Sequence, residues 1–183
     1  HREYREKHNR QRSIDAALLD REFSRFTASP NYMLNCGLGT FLMPLCAIAV
    51  LWKGSELFEM LDVMFAETEG SVTLLLCVVF CGLVSMNFMT APSVSLEGKS
   101  LWLLQSLPVE PWRIFKAKIR MQLLLTGLPL LLCVGCTEAV YSMCWLQLLM
   151  ILLFGSSYVL LMALVGLFLG IKMPTLTWTG RNR

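Results

Sequence analysis

Residues 71–96 read SVTLLLCVVFCGLVSMNFMTAPSVSL, a run without a single Asp, Glu, Lys or Arg. As a helix rising about 1.5 Å per residue, it outruns the ~30 Å hydrocarbon core of a bilayer. Outward from it, the same absence of charge recurs at Pro30–Trp52, Met121–Thr137 and Ala139–Ile171. In lipid each segment must satisfy its own backbone hydrogen bonds, so runs of this kind cross as helices. The reading is an all-α fold, a polytopic transmembrane helical bundle with four spans. Composition agrees: of 183 residues 55% are hydrophobic and only 16% charged, outside the ordinary soluble range.

Charge then orients the bundle. Residues 1–29 carry seven basic groups, ending with Arg21 and Arg25, whereas Lys53–Gly70 sets one Lys against Glu56, Glu59, Asp62, Glu67 and Glu69. The next connection, Glu97–Arg120, is basic again through Lys99, Arg113, Lys116, Lys118 and Arg120; the following link has only Glu138, and the tail has Lys172, Arg181 and Arg183. Short connections rich in Lys and Arg stay cytoplasmic. Both termini and the 97–120 loop are therefore expected inside the cell, and the acidic Lys53–Gly70 connection outside. The domain plan is a charged cytoplasmic segment over 1–29, a four-span membrane domain over 30–171 with its inner loop at 97–120, and a cytoplasmic tail over 172–183. The chain begins with His, not Met, and is expected to be a fragment of a longer protein.

Within 1–29, Ala16, Leu19, Phe23 and Phe26 recur at helical spacing, with Asp20, Arg21, Glu22 and Arg25 on the flanks. That pattern predicts an N-terminal amphipathic interfacial helix along the membrane surface, stopped by Ser29-Pro30. The first span is expected over Asn31–Trp52, with a kink at Pro44, and the second over Ser71–Met89, ended by Ala91-Pro92. Asn87, near its inner end, reads as a packing or capping residue. The third should start near Pro111, a residue suited to a first helical position. Arg113, Lys116 and Arg120 then share a face toward anionic headgroups, and Pro129 is expected to kink the helix. The fourth charge-free run is too long for one upright helix: it tilts, or Ala139–Leu146 lies at the interface. Gly166 and Gly170, four apart, mark a close-packing face.

Chemistry is sparse. The seven cysteines sit in or beside apolar helices and read as small hydrophobes. Cys133-x-x-Cys136 has no second pair, so no metal site is expected. Glu97-Gly98-Lys99-Ser100 looks like the end of a phosphate-binding loop, but Ser93 stands where that motif needs Gly and no strand precedes it. No charged group occupies the centre of a span, which leaves an ion relay without a carrier. No nucleophile–base set survives, and no catalytic residue is assigned.

The most distinctive stretch is the inner loop, with charges at Glu97 and Lys99, a Leu/Trp body around Trp102, and a stop at Pro108 and Pro111. It is either a helix lying at the interface or one projecting inward to a cytosolic partner. Several patches then point one way. They are Arg21-Glu22-Phe23 with Ser29-Pro30-Asn31-Tyr32 and Asn35; Ser95-Leu96-Glu97-Gly98-Lys99 with Trp102 and Ser106-Leu107-Pro108; Ala117-Lys118; and Pro174 with Trp178. Together they resemble the permease subunits of ATP-binding-cassette exporters of the second type, in the long bacterial permease branch. That family continues with an acidic residue soon after the Trp, whereas Gly180-Arg181-Asn182-Arg183 departs from it.

The resemblance implies a multi-pass permease in a bacterial plasma membrane, paired with a second permease half or copy and with a cytosolic ATP-binding subunit. ATP binding and hydrolysis would belong to that subunit; this chain would bind no cofactor, be no enzyme and have no nucleic-acid partner. Glu97, Gly98, Lys99, Trp102, Ser106, Leu107 and Pro108 would form the coupling element that docks on the ATPase. Ala16, Leu19, Phe23 and Phe26 would belong to the connecting helix. The alternative is a structural or assembly membrane protein whose inner loop binds another cytosolic partner.

Overall fold

The computed structural model describes residues 13–66, 70–95 and 110–173. Among them run α1 (Ile14–Ala28), α2 (Pro30–Cys36), α3 (Leu38–Met64), α4 (Ser71–Ser85), α5 (Thr90–Ser95), α6 (Pro111–Val140) and α7 (Trp145–Lys172). Four units are long and apolar enough to cross a membrane: α3, α4 with the start of α5 (Ser71–Ser93), α6 and α7. The chain is an all-α, four-span transmembrane bundle.

The bundle's surface and its core are both oily. Met43 and Ala47 of α3, Leu76, Phe80 and Val84 of α4, Leu130 and Val134 of α6, and Ile151 and Val159 of α7 make one buried cluster. Leu45, Ile48, Leu74, Val78, Leu128, Phe154 and Phe168 point outward instead. A soluble monomer does not carry so large an apolar exterior; it suits a bilayer. Gly155 lets α7 close on α6, because a Cβ there would sit 3.0 Å from Leu130.

Local signals explain most of the boundaries. Ser13 caps α1, its hydroxyl accepting from the Ala16 amide at 3.3 Å. Ser29, held extended at ψ 99° by the proline that follows, ends α1. Pro30 then opens α2 from a position where no amide hydrogen is needed. The first span breaks at Gly37, whereas α3 runs without interruption through Pro44. A Cβ on Gly37 would lie 2.6 Å from the Phe26 ring, so the turn and the docking of α1 select glycine together.

Three features differ from expectation. First, α3 does not stop at Trp52 but continues through the acidic stretch to Met64. Its inward side still finds partners there: Gly54 lies against Val140, and Phe58 stacks on Tyr141 with ring centroids 4.8 Å apart. Lys53 and Glu56 pair at 3.6 Å on the exposed side. Second, α6 takes Ala139 and Val140, the turn falls after them, and α7 opens at Trp145 as one helix of 28 residues. The Cys144 amide donates to Gln147 Oε1 at 3.0 Å, closing that helix start. Third, the second span is not one helix.

Candidate functional site around the broken second span

After Ser85 the chain leaves helical geometry across Met86–Met89 and re-enters it at Thr90. Pro92 favours a break here. It has no amide to give the Phe88 carbonyl, and its ring would collide with that carbonyl in a continuous helix. A first turn needs no such bond, and here a new helix begins just ahead of the proline, whereas α3 and α6 run on through Pro44 and Pro129. Pro92 therefore starts a short helix, where the sequence suggested that it ended a long one.

A break inside an apolar bundle frees backbone groups that must find partners. Two neighbouring helices provide them. Gln122 of α6 reaches across the gap: its Nε2 donates to the Asn87 carbonyl at 2.9 Å, and its Oε1 accepts from the Thr90 amide at 3.0 Å. The Tyr32 hydroxyl of α2 donates to the Met89 carbonyl at 2.7 Å. Asn87 turns its own side chain toward α3, where Oδ1 accepts from the Thr40 amide at 2.9 Å and from the Thr40 hydroxyl at 3.3 Å. It thus caps the start of α3 from the break in the second span, consistent with the capping role read from sequence. Asn87, Thr90, Gln122 and Thr126 are all buried. The approach is close on both sides. A Cβ on Gly39 of α3 would lie 2.6 Å from the Leu83 carbonyl, and one on Gly166 of α7 would strike the Thr90 hydroxyl.

One turn beyond lies a buried ion pair. Lys118 Nζ of α6 meets Glu22 Oε2 of α1 at 3.1 Å, and it also donates to the Ser93 carbonyl of α5 at 3.3 Å. The two side chains are 1% and 4% exposed. Arg25 stands 3.7 Å from the same carboxylate, and a half-exposed pair, Arg113 with Asp15 at 3.8 Å, holds the other end of α1 to α6. Through Lys118, α1, α5 and α6 converge on one ammonium group. Glu22 explains the rotation of α1. The face turned to the bundle is Leu18, Glu22 and Phe26, with Leu19 at its edge, while Ala16 and Phe23 are exposed. Phe26 packs edge-on to Tyr32, ring centroids 5.3 Å apart.

The remaining candidate residues fall as follows. Glu97, Gly98, Lys99, Trp102, Ser106, Leu107 and Pro108 lie outside the described residues; the flanking α5 and α6 lie within them. Gly166 and Gly170 are both buried on α7. Cys133 donates its thiol to the Met43 carbonyl at 2.8 Å. Among the described residues, no three His, Cys, Asp or Glu side chains gather as metal ligands would. The polar set of Thr90, Gln122 and Thr126 went unread in the sequence, although an amide and a hydroxyl four apart in a charge-free helix are a usable sign of interhelical bonding. The arrangement is built of buried hydrogen bonds and one buried ion pair. It is a joint, at which a discontinuous helix is held by side chains from its neighbours.

Compared with known proteins, the chain matches no family model, no curated protein and no solved structure.

Proposed function

We propose that this chain is the membrane-spanning permease part of an ATP-driven exporter in a bacterial plasma membrane. Both termini and the 97–108 loop face the ATP-bearing side, and a separate cytosolic subunit binds and hydrolyses the nucleotide. A second permease half or copy completes the pathway. The observation that carries this reading is the position of Lys118. It joins α1 and the end of α5, the element that leads into the loop, to the helix that follows the loop. Force applied to the loop by a closing ATPase dimer would reach α1 and α6 at that point. Through Gln122 and Asn87 it would then reach the break and the start of α3. Coupling of this kind needs an element with two arrangements, and a span interrupted at Met86–Met89 supplies one. The two patches that carry the family resemblance at Glu22 and Lys118 are also partners in space.

The test is co-purification. Expressed in full length, the protein should bring down an ATP-binding subunit, and Glu97→Ala or Trp102→Ala should leave hydrolysis uncoupled from transport. If deletion of 97–108 changed neither subunit binding nor activity, the coupling role would be lost. Capture of a non-ATPase partner by the same loop would favour an assembly protein.

A further inference from the structure

At the acidic end of the bundle, α4 and α7 diverge and leave a groove of about 430 Å³ between them. Leu74, Cys77 and Val78 line one wall, and Leu146, Met150 and Phe154 the other. The volume lies in the range of small-molecule sites, about 300–1,000 Å³. From Gly70 to Val78 the groove follows α4 for eight residues, ~12 Å, most of the ~15 Å of hydrocarbon in one leaflet. At its mouth the surroundings turn polar. A second cavity of about 310 Å³ shares Gly70, Thr73 and Gln147 with the groove and adds Asp62 and Tyr141. Asp62 is held in place by the Tyr141 hydroxyl, which donates to Oδ1 at 2.9 Å. Among the described residues, Asp62 is the one charged group that lines either cavity.

We propose that the two cavities form one binding site for an amphiphile with a cationic head, its hydrocarbon tail in the α4–α7 groove and its ammonium group at Asp62. The order of the parts suits a membrane: the apolar groove runs along α4 and α7, two of the candidate spans, and the acidic mouth opens at their ends beside Tyr141, an aromatic of the kind enriched at interfaces. Charge complementarity selects the occupant. An anionic head would meet the Asp62 carboxylate, and a neutral one would gain no charge-assisted contact from it. The groove accommodates one tail between two helices. The proposal stands on these cavities and does not depend on the exporter reading.

The experiment uses the full chain in nanodiscs of zwitterionic lipid and a dodecyl-ammonium probe carrying a diazirine in its tail. Photolabelling should map to Leu74–Val78 and Leu146–Phe154. Dodecyltrimethylammonium should compete for it, and dodecyl sulfate or a dodecyl glycoside should not. Asp62→Asn should weaken the cationic probe about tenfold, the size expected for one charge-assisted contact, and leave a glycoside probe unaffected. Leu74→Trp, which fills the groove, should remove labelling by either. Labelling spread evenly over outward residues such as Leu45, Ile48 and Leu128 would overturn the proposal. So would equal competition by the sulfate, or a cross-link through Cys77 to a second copy of the chain.

Discussion

Glu22 and Lys118, 96 residues apart in sequence, meet at 3.1 Å with almost no exposed surface. A pair so placed is more costly to halve than to remove. Breaking one partner leaves a buried charge short of its counter-charge, typically about 3–5 kcal/mol and less where Arg25, 3.7 Å from Glu22, still compensates, whereas replacing both with apolar groups of similar size is often neutral. Glu22→Leu and Lys118→Met should each destabilise the protein by roughly that amount, and the double variant should recover most of it. Thermal unfolding of the four proteins in one detergent checks this. Additive losses would mean that the two charges do not act as a pair.

Gln122 bonds to both sides of the helix break, so Gln122→Leu strands the Asn87 carbonyl and the Thr90 amide in an apolar interior. Unsatisfied buried groups cost about 1–3 kcal/mol, less where the membrane-embedded unfolded chain also finds partners. The expected loss lies toward the lower end of that range. Hydrogen exchange should rise at Thr90, whose amide Gln122 accepts, and stay unchanged at Leu148 in α7, whose amide bonds to Cys144 within its own turn. A uniform rise over both positions would point to general loosening instead of release of the joint.

Three glycines separate close approach from open space. A Cβ at Gly39 meets the Leu83 carbonyl at 2.6 Å and one at Gly166 meets Thr90, whereas a Cβ at Gly82 meets nothing within 4 Å. Gly39→Ala and Gly166→Ala should therefore lower the melting temperature, while Gly82→Ala should raise it slightly or leave it unchanged, since alanine favours the helix by about 1 kcal/mol. The ranking, read by thermal scans, is the test.

The four spans were legible because their signal is an absence of charge longer than a bilayer is thick. The break was not. Pro92 was visible, but hydropathy alone does not tell a proline that ends a helix from one that starts the next. What decides it are partners distant in sequence, Gln122 and Tyr32, which hold the freed groups on the far side. The continuation of α3 past Trp52 escaped for a related reason. Its acidic residues read as a loop, and only the packing of Gly54 and Phe58 against Val140 and Tyr141 keeps the chain helical. On α1 the buried face is not the stripe read from sequence: Phe26 is buried and Leu19 half-buried, but Ala16 and Phe23 are exposed, and Leu18 and Glu22 take their place. The ion pair pulled Glu22 inward and turned Phe23 out.

Tyr141 lies beyond the spans and its phenol reports on the acidic end. Partial burial raises its pKa above the usual value near 10, and the hydrogen bond to Asp62 and that carboxylate's charge add to the rise. A group whose folded pKa is raised contributes stability that is fully present below its unfolded pKa and is lost as pH rises through the folded value. The Tyr141 contribution is thus complete at neutral pH and disappears only in alkali above about pH 10. Phenolate absorbance, taken as the difference from Tyr141→Phe, should show a transition above that of free tyrosine. Asp62→Asn removes the charge while sparing most of the burial, so the transition should move down toward the ordinary value without reaching it. An unchanged midpoint in Asp62→Asn would mean that the contact at 2.9 Å does not persist in the membrane, and the polar wall built on it at the head of the α4–α7 groove would go with it.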